Sequence, residues 1–188
     1  MSSNLKFLDT PINGLYIIER NIVSDDRGYF FRIFAKEELL KIGHTKPIVH
    51  INFSHANNRY TTKGLHFQYP PYSEIKIVTC VKGEVFDFVV DLRKNSPHFL
   101  KWFGITLSEK NKKSIYIPEG FAHGFQSISE DSELIYLHTE SYRKESEGGI
   151  NIFDPKIGIQ LPSPPVNLSD RDKNFSFLNN DFEGVTIV

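Results

Sequence analysis

A chain of 188 residues with a formal net charge of -1 is long enough to bury one core, and it carries no charge excess that would draw it to nucleic acid or an anionic membrane. Its 39% hydrophobic and 24% charged residues are ordinary for a globular protein, and no run approaches the ~20 apolar residues that span a bilayer. The start, MSSNLKFLDTPING, lacks the basic-then-apolar pattern of a secretory leader, and the single Cys80 has no intrachain partner. A cytoplasmic location is therefore expected. Sixteen Phe and eight Tyr favour strands.

In chain order, GLYIIERNIV alternates imperfectly and reads as an early strand, and SDDRGYFFRIF reads as a hairpin turning at Gly28. AKEELLKIG predicts a helix with Leu39, Leu40 and Ile42 on one side and Gly43 as its stop. From residue 48 short strands follow one another closely: IVHINFSH, KGLHFQ, IKIVTCV, EVFDFVVDL, KWFGITLS, KSIYIPEGFAHGFQSIS and SELIYLHTES. VKGEV reads as a tight hairpin turn at Lys82–Gly83, and DLRKNSPHF as a longer polar connection. Many short strands without intervening helices predict an antiparallel sandwich or barrel of jelly-roll type. One domain is expected over 1–188: strands and a helix over 1–47, a barrel core over 48–142 and a C-terminal wrap over 143–188. Phe175, Phe177, Leu178 and Phe182 make that last segment too apolar for a disordered tail.

The seven histidines are the first candidates for chemistry. Metal-binding barrels of this strand pattern need two histidines two apart, a following carboxylate and a distant third histidine. No such HxH pair occurs, so no metal is expected, although His50, His66 and His123 could assemble a site across strands. A single histidine is more often a satisfied core residue than a functional one. In a regular strand, however, His66 shares its face with Gly64 and Gln68 while Leu65 and Phe67 point the other way. Such a polar inward face suits a barrel that encloses a ligand. The same parity pairs Tyr136 with His138 against Ile135 and Leu137, which would supply an acid opposite a base. Lys63 has the wrong parity to join His66, so a bulge or kink at Gly64 is expected if both reach the cavity. Lys76, between Ile75 and Ile77, either snorkels outward or is held by a buried partner. On pattern alone, DDRG is a surface turn and SDRDK a solvated charge run.

KGLHFQ, EIKIVTCVKGEVFDFVVDLRKNSPHFLKW, IPEGFAHGF and LSDRDK, in this order and spacing and with DDRGYFF before them, closely resemble the dTDP-4-dehydrorhamnose 3,5-epimerase family over roughly residues 13–173. The resemblance implies a mainly β fold: an antiparallel jelly-roll barrel of the cupin type without a metal, with short peripheral helices. It also implies a homodimer whose strands exchange, so that one subunit's N-terminal segment helps form its neighbour's nucleotide site. The implied activity is cofactor-independent inversion at the carbons flanking the C4 ketone of a nucleotide-linked 4-keto-6-deoxyhexose. His66 matches the family's base, Asp172 the carboxylate that pairs with it, Tyr136 the proposed acid and Lys76 the lysine near the ketone. His123 matches a further active-site histidine, while Arg27, Asn52 and Tyr142 match positions associated with the nucleotide and its diphosphate. Three positions depart from the pattern. Lys63 stands where arginine is usual and cannot form a bidentate fork on a phosphate. Arg32 stands where many members carry glutamate, and His50 where glutamine is common. All three bear on substrate identity more than on the chemistry.

The chemistry explains the residue types. Removing a proton beside a ketone creates an enolate, so a base needs a cation near the ketone oxygen as well. An imidazole, ordinarily titrating near ~6.5, suits the base, and a carboxylate on its other nitrogen fixes the tautomer. Inversion then needs a proton from the opposite face, the part given to Tyr136. Two alternatives remain at this level: a nucleotide-sugar 3,4-ketoisomerase, and a cupin-like module that binds a sugar nucleotide without turning it over.

Overall fold

The computed structural model describes residues 4–187. β1 (Leu5–Asp9) and β2 (Tyr16–Arg20) open the chain, followed by a small ribbon of β3 (Val23–Asp25) and β4 (Gly28–Phe30) and the one-turn α1 (Lys36–Leu39). β5 (His50–Ala56), β6 (Thr62–Gln68), β7 (Lys76–Lys82) and β8 (Glu84–Asp91) come next. β9 (Trp102–Ser108), β10 (Ser114–Ile117), β11 (Phe121–Ser127) and β12 (Ser132–His138) complete the body. The C-terminal segment adds β13 (Glu147–Gly149) and α2 (Asp170–Lys173).

Two antiparallel sheets face each other as a jelly roll of the cupin type. One runs β1-β2-β10-β7-β12-β5 and the other β13-β6-β11-β8-β9, with β3–β4 as a separate ribbon. Strand parity sorts the side chains into three apolar layers. Val78 and Cys80 of β7, Val85 and Val89 of β8, Phe121 and Phe125 of β11 and Leu134 of β12 fill the space between the sheets. The alternate residues of the five-stranded sheet, among them Leu65, Phe67, Phe88 and Val90, pack against Ile150, Ile152, Leu168, Leu178 and Phe182 of the C-terminal segment. Those of the six-stranded sheet, Ile77 and Leu137 among them, pack against Leu5, Ala35 and Leu39 of the N-terminal segment. Each fully buried Leu, Ile or Phe contributes about 2 kcal/mol, so these outer layers hold the sheets as firmly as the inner one. The inner layer turns polar at one end.

Three expectations need correction. VKGEV is not a hairpin: β7 lies in one sheet and β8 in the other, so the chain turns a corner at Gly83, whose φ is +71°. The continuous apolar run across 75–92 hides that switch, because both strands are covered on both faces. Leu40 does not share the buried face of Leu39. The helix tightens into a 3-10 turn over Leu40–Ile42 before Gly43 caps it, leaving Leu40 at 53% exposure and Leu39 at 0%. Phe177, expected to fold back with its neighbours, is exposed. The strand β1, in a segment for which no element was expected, pairs with β2 at the sheet edge. The expected hairpin around Gly28 is present as β3–β4.

Candidate active site

An open cavity of about 240 Å³ lies between the sheets, lined by Lys63, His66 and His123 of one and Asn52, Ser54, Lys76, Tyr136 and His138 of the other. These are the inward positions of strands whose other inward residues form the core, so the cavity is the polar end of the inner layer. At roughly 30 Å³ per water, the space equals about eight waters, the scale of one sugar ring.

His66 reaches it through an irregular β6. His123 pairs with His66 and Phe125 with Lys63, so Gly64 and Leu65 on β6 oppose the single Gly124 on β11, a bulge that brings Lys63 and His66 to the same face. Gly64 permits it, with φ at +117° and an added Cβ falling 2.6 Å from the Gly124 Cα. The Gly64–Leu65 peptide bond is cis.

Behind His66 stands Asp172, 2% exposed on α2, whose N-cap is Ser169. Asp172 Oδ1 lies 2.7 Å from His66 Nε2, and its Oδ2 accepts the Gly64 N–H at 3.1 Å. Burial pushes the Asp172 carboxyl up, but the bonds from His66, Gly64 and the Ser169 hydroxyl outweigh this and hold it below the usual carboxylate range. An ionised carboxylate only accepts, so Nε2 carries the ring proton and Nδ1 keeps the lone pair. Arg171 Nη2 sits 2.9 Å from the same Nε2. A guanidinium only donates, so this contact is no bond to a protonated Nε2; the Arg171 cation faces the carboxylates of Glu147 at 3.0 Å and Asp172 at 3.5 Å. Phe175 packs its ring edge-on to His66 at 5.8 Å.

Tyr136 comes from the opposite sheet, its ring 5.9 Å from that of His123. Burial first, then the nearby Asp87 and Cys80, push its hydroxyl well above the ordinary phenol range. Lys76 is 8% exposed and paired with Glu74 at 3.2 Å, which settles it as held by a buried partner. His123 Nε2 lies 2.9 Å from Asp87 Oδ2. Burial raises the Asp87 carboxyl although His123 and Lys76 oppose that. Lys63 Nζ donates to the Ser54 hydroxyl at 3.0 Å and the His55 carbonyl at 3.2 Å, and burial lowers its pKa against the pull of Asp172.

The structure thus brings together His66, Tyr136, Asp172, Lys76, Lys63, Asn52 and His123. It does not bring Arg27, His50 or Tyr142 to the cavity wall. Arg27 lies on the β3–β4 ribbon with its side chain 88% exposed and paired to Asp25. His50 pairs with His138 at the outer edge strand, and the exposed Tyr142 donates its hydroxyl to Glu147 at 3.1 Å. Arg32 is exposed. His66 and His123 each face a carboxylate, and no cluster of metal-ligating groups joins them to His50 among the described residues. The charge run SDRDK is solvated at Asp170 but not at Asp172.

Sequence reasoning missed four residues: Glu74, Asp87, Arg171 and Phe175. Asp87 had a visible signal, a carboxylate sharing inward parity with Val85 and Val89 in an otherwise apolar strand. Glu74 and Phe175 lie outside regular strands, where parity says nothing.

A cupin-type jelly roll with a histidine–aspartate pair, a tyrosine and a buried lysine around one cavity defines a sugar-epimerase class of barrel. The comparisons are specific: the family model described as dTDP-4-dehydrorhamnose 3,5-epimerase matches residues 9–180. The chain is 40% identical to the dTDP-4-dehydrorhamnose 3,5-epimerase of Shigella flexneri over 171 residues, covering 90% of this chain and 94% of that one. The crystal structure of dTDP-4-dehydrorhamnose 3,5-epimerase from Elizabethkingia anophelis superposes with a TM-score of 0.90 at 34% identity, over 96% of this chain and 100% of that one. A Legionella pneumophila 3,5-epimerase in complex with dTDP-4-keto-L-rhamnose gives a TM-score of 0.90 at 34% identity, over 98% and 100%. The chain belongs to the dTDP-4-dehydrorhamnose 3,5-epimerase family.

Proposed function

We propose that the protein inverts C3, C5 or both of a dTDP-linked 4-keto-6-deoxyhexose, with His66 as base and Tyr136 as acid. The observation that carries this is their placement on opposite walls of one sugar-sized cavity, with buried Lys76 beside them. His66 Nδ1 takes the proton, and the C–H electron pair moves into an enolate whose charge rests on O4. Lys76, itself 8% exposed, stabilises that oxygen from a partly desolvated position, where charge interactions are stronger than in bulk. Asp172 stabilises the imidazolium. Tyr136 then gives its proton to the opposite face of the carbon, and solvent restores both groups.

Arg27 and Tyr142 lie outside the cavity of their own chain, and we assign them to the nucleotide end of the substrate. The edge strand β5 exposes Ile51 and Phe53, and the β3–β4 ribbon exposes Val23, Tyr29 and Phe30. An unpaired apolar edge of this kind supports a homodimer in which the ribbon of one copy reaches the nucleotide of the other. An enzyme that consumes a nucleotide-linked sugar works where such sugars are made, which we take to be the cytoplasm. Among the described residues no helix is long and apolar enough to cross a membrane.

Incubation with a dTDP-4-keto-6-deoxyhexose in D2O, followed by NMR, tests the reading. Deuterium should enter at C3, C5 or both with inversion. Movement of the ketone to C3 would make the protein a ketoisomerase, and binding without label would make it a carrier.

A further inference from the structure

Lys76 is one end of a three-residue chain. Glu74, in the turn leading into β7, places Oε1 3.2 Å from Lys76 Nζ and Oε2 2.6 Å from His138 Nδ1. The side chains of all three are 14% exposed or less. Lys76 and His138 are directly opposed across β7 and β12, and the His138 ring lies parallel to that of Tyr136, 5.9 Å away. His138 is the third imidazole–carboxylate pair around the cavity, and the only one of the three whose carboxylate also grips the lysine.

The chemistry of the pair fixes the ring. Burial pushes the Glu74 carboxyl up, but Lys76 and His138 outweigh it and hold it below the usual range. An ionised carboxylate accepts only, so the proton of this hydrogen bond sits on His138 Nδ1, and Nε2 is the ring atom left to meet a ligand, offering its lone pair when the ring is neutral. Nε2 has no hydrogen-bond partner among the described residues, yet His138 lines the cavity. A purely structural pair would need only the bond to Glu74. This one sets its ring beside Tyr136 and directly opposite Lys76 in the strand register, on the wall of the cavity. Opposed cross-strand residues start about 5 Å apart at Cβ, so both can reach one sugar ring at adjacent carbons. C4 carries the ketone, and the flanking carbon that bears a hydroxyl is C3.

We infer that His138, oriented by Glu74, contacts the sugar: its Nε2 accepts a hydrogen bond from the C3 hydroxyl beside the ketone held by Lys76, and so selects 4-keto sugars that carry that hydroxyl. This rests on the epimerase reading above. Glu74 is a positioning residue, acting on the substrate through Lys76 and His138.

Calorimetry with dTDP, dTDP-glucose and dTDP-3-deoxyglucose tests the inference on the wild type, His138→Asn and His138→Gln. A neutral hydrogen bond gives about a 3- to 10-fold preference for the hydroxylated sugar in the wild type. Asparagine mimics Nδ1 and keeps the Glu74 link, but has no atom where Nε2 stood, so that preference should vanish while dTDP binds as before. Glutamine reaches the Nε2 position and should restore part of it. In turnover, His138→Asn should raise KM by a larger factor than it lowers kcat. No preference in the wild type, or a preference that survives in His138→Asn, overturns the inference. The wild-type comparison decides even where a variant fails to fold. A wild type that washes deuterium into the 4-keto sugar but shows no C3-hydroxyl preference loses this inference alone; one that neither binds dTDP nor exchanges loses the epimerase reading and this with it.

Discussion

His66 on β6 and His123 on β11 are directly opposed across the strands, and each ring faces its own buried carboxylate, Asp172 at 2.7 Å and Asp87 at 2.9 Å. The two pairs are not equivalent. Asp172 is held below the usual carboxylate range, with hydrogen bonds from His66 and the Gly64 N–H, whereas burial raises Asp87, whose Oδ1 has no hydrogen-bond partner among the described residues. A carboxylate kept ionised stabilises an imidazolium; one that resists ionising does so poorly. Of two histidines in one cavity, His66 is thus the better suited to the part of base in the proposed reaction.

Asp172→Asn should therefore cut kcat by about 10³-fold, since the amide can present a donor to Nε2 and set the wrong tautomer. Asp87→Asn should cost much less. Steady-state rates of both variants on a 4-keto sugar nucleotide check this, and equal losses would return the choice of base to open ground.

The same carboxylate ties catalysis to acid stability. With a folded pKa below the unfolded value near ~3.9, Asp172 stabilises the fold above that value, and the contribution is lost as pH falls through the folded pKa. Asp172→Asn never has that contribution to lose. Its melting temperature should lie below the wild type at pH 7, and the gap should narrow on going from pH 5 to pH 3. A gap that stays constant over that range would show that Asp172 is not ionised by its surroundings.

Strand parity made much of this site legible before any coordinates. Period-two alternation put His66 opposite Leu65 and Tyr136 opposite Ile135, and the bulge at Gly64 follows from asking Lys63 and His66 to share a face. Asp172 was different: SDRDK alone reads as solvated, and only the family resemblance assigned it a partner. Its burial depends on a contact between α2 and β6, over a hundred residues apart, which no local pattern encodes. The corner at Gly83 was hidden for a related reason. Strands covered on both faces lose the alternation that tells one sheet from the next. Leu40 failed on geometry, since a helix of one turn that tightens to 3-10 no longer keeps the 3.6-residue period.

Tyr136 is buried enough that its hydroxyl stays protonated well above the ordinary phenol pKa of about 10. As the proposed acid it is therefore available throughout the working range, and no fall in rate between pH 8 and 10 should come from it. Tyr136→Phe should slow inversion by about 10²-fold or more. Deuterium wash-in at the original configuration should survive, because His66 can return a solvent-derived deuteron to the face it left. NMR of the recovered sugar separates the two outcomes. Loss of wash-in and inversion together would make Tyr136 part of enolate formation rather than the acid.

Gly64 joins the fold to the site, and its replacement tests whether the bulge is as constrained as its surroundings suggest. An alanine there must hold φ at +117° and place its Cβ 2.6 Å from the Gly124 Cα and 2.8 Å from the His123 carbonyl oxygen. Both neighbours are backbone of β11, which is itself paired to β8 on its other side, so neither can step aside cheaply. Backbone strain and overpacking together cost about 3 kcal/mol, or about 6–12 °C in Tm for a chain of this length. Because Lys63, His66 and the Gly64 N–H bound by Asp172 all hang on this bulge, Gly64→Ala should lose activity even at temperatures where it remains folded. Thermal unfolding read beside kcat at 15 °C checks both halves. A variant with wild-type Tm and rate would mean that β6 does not need the bulge to bring its lysine and histidine to the same face.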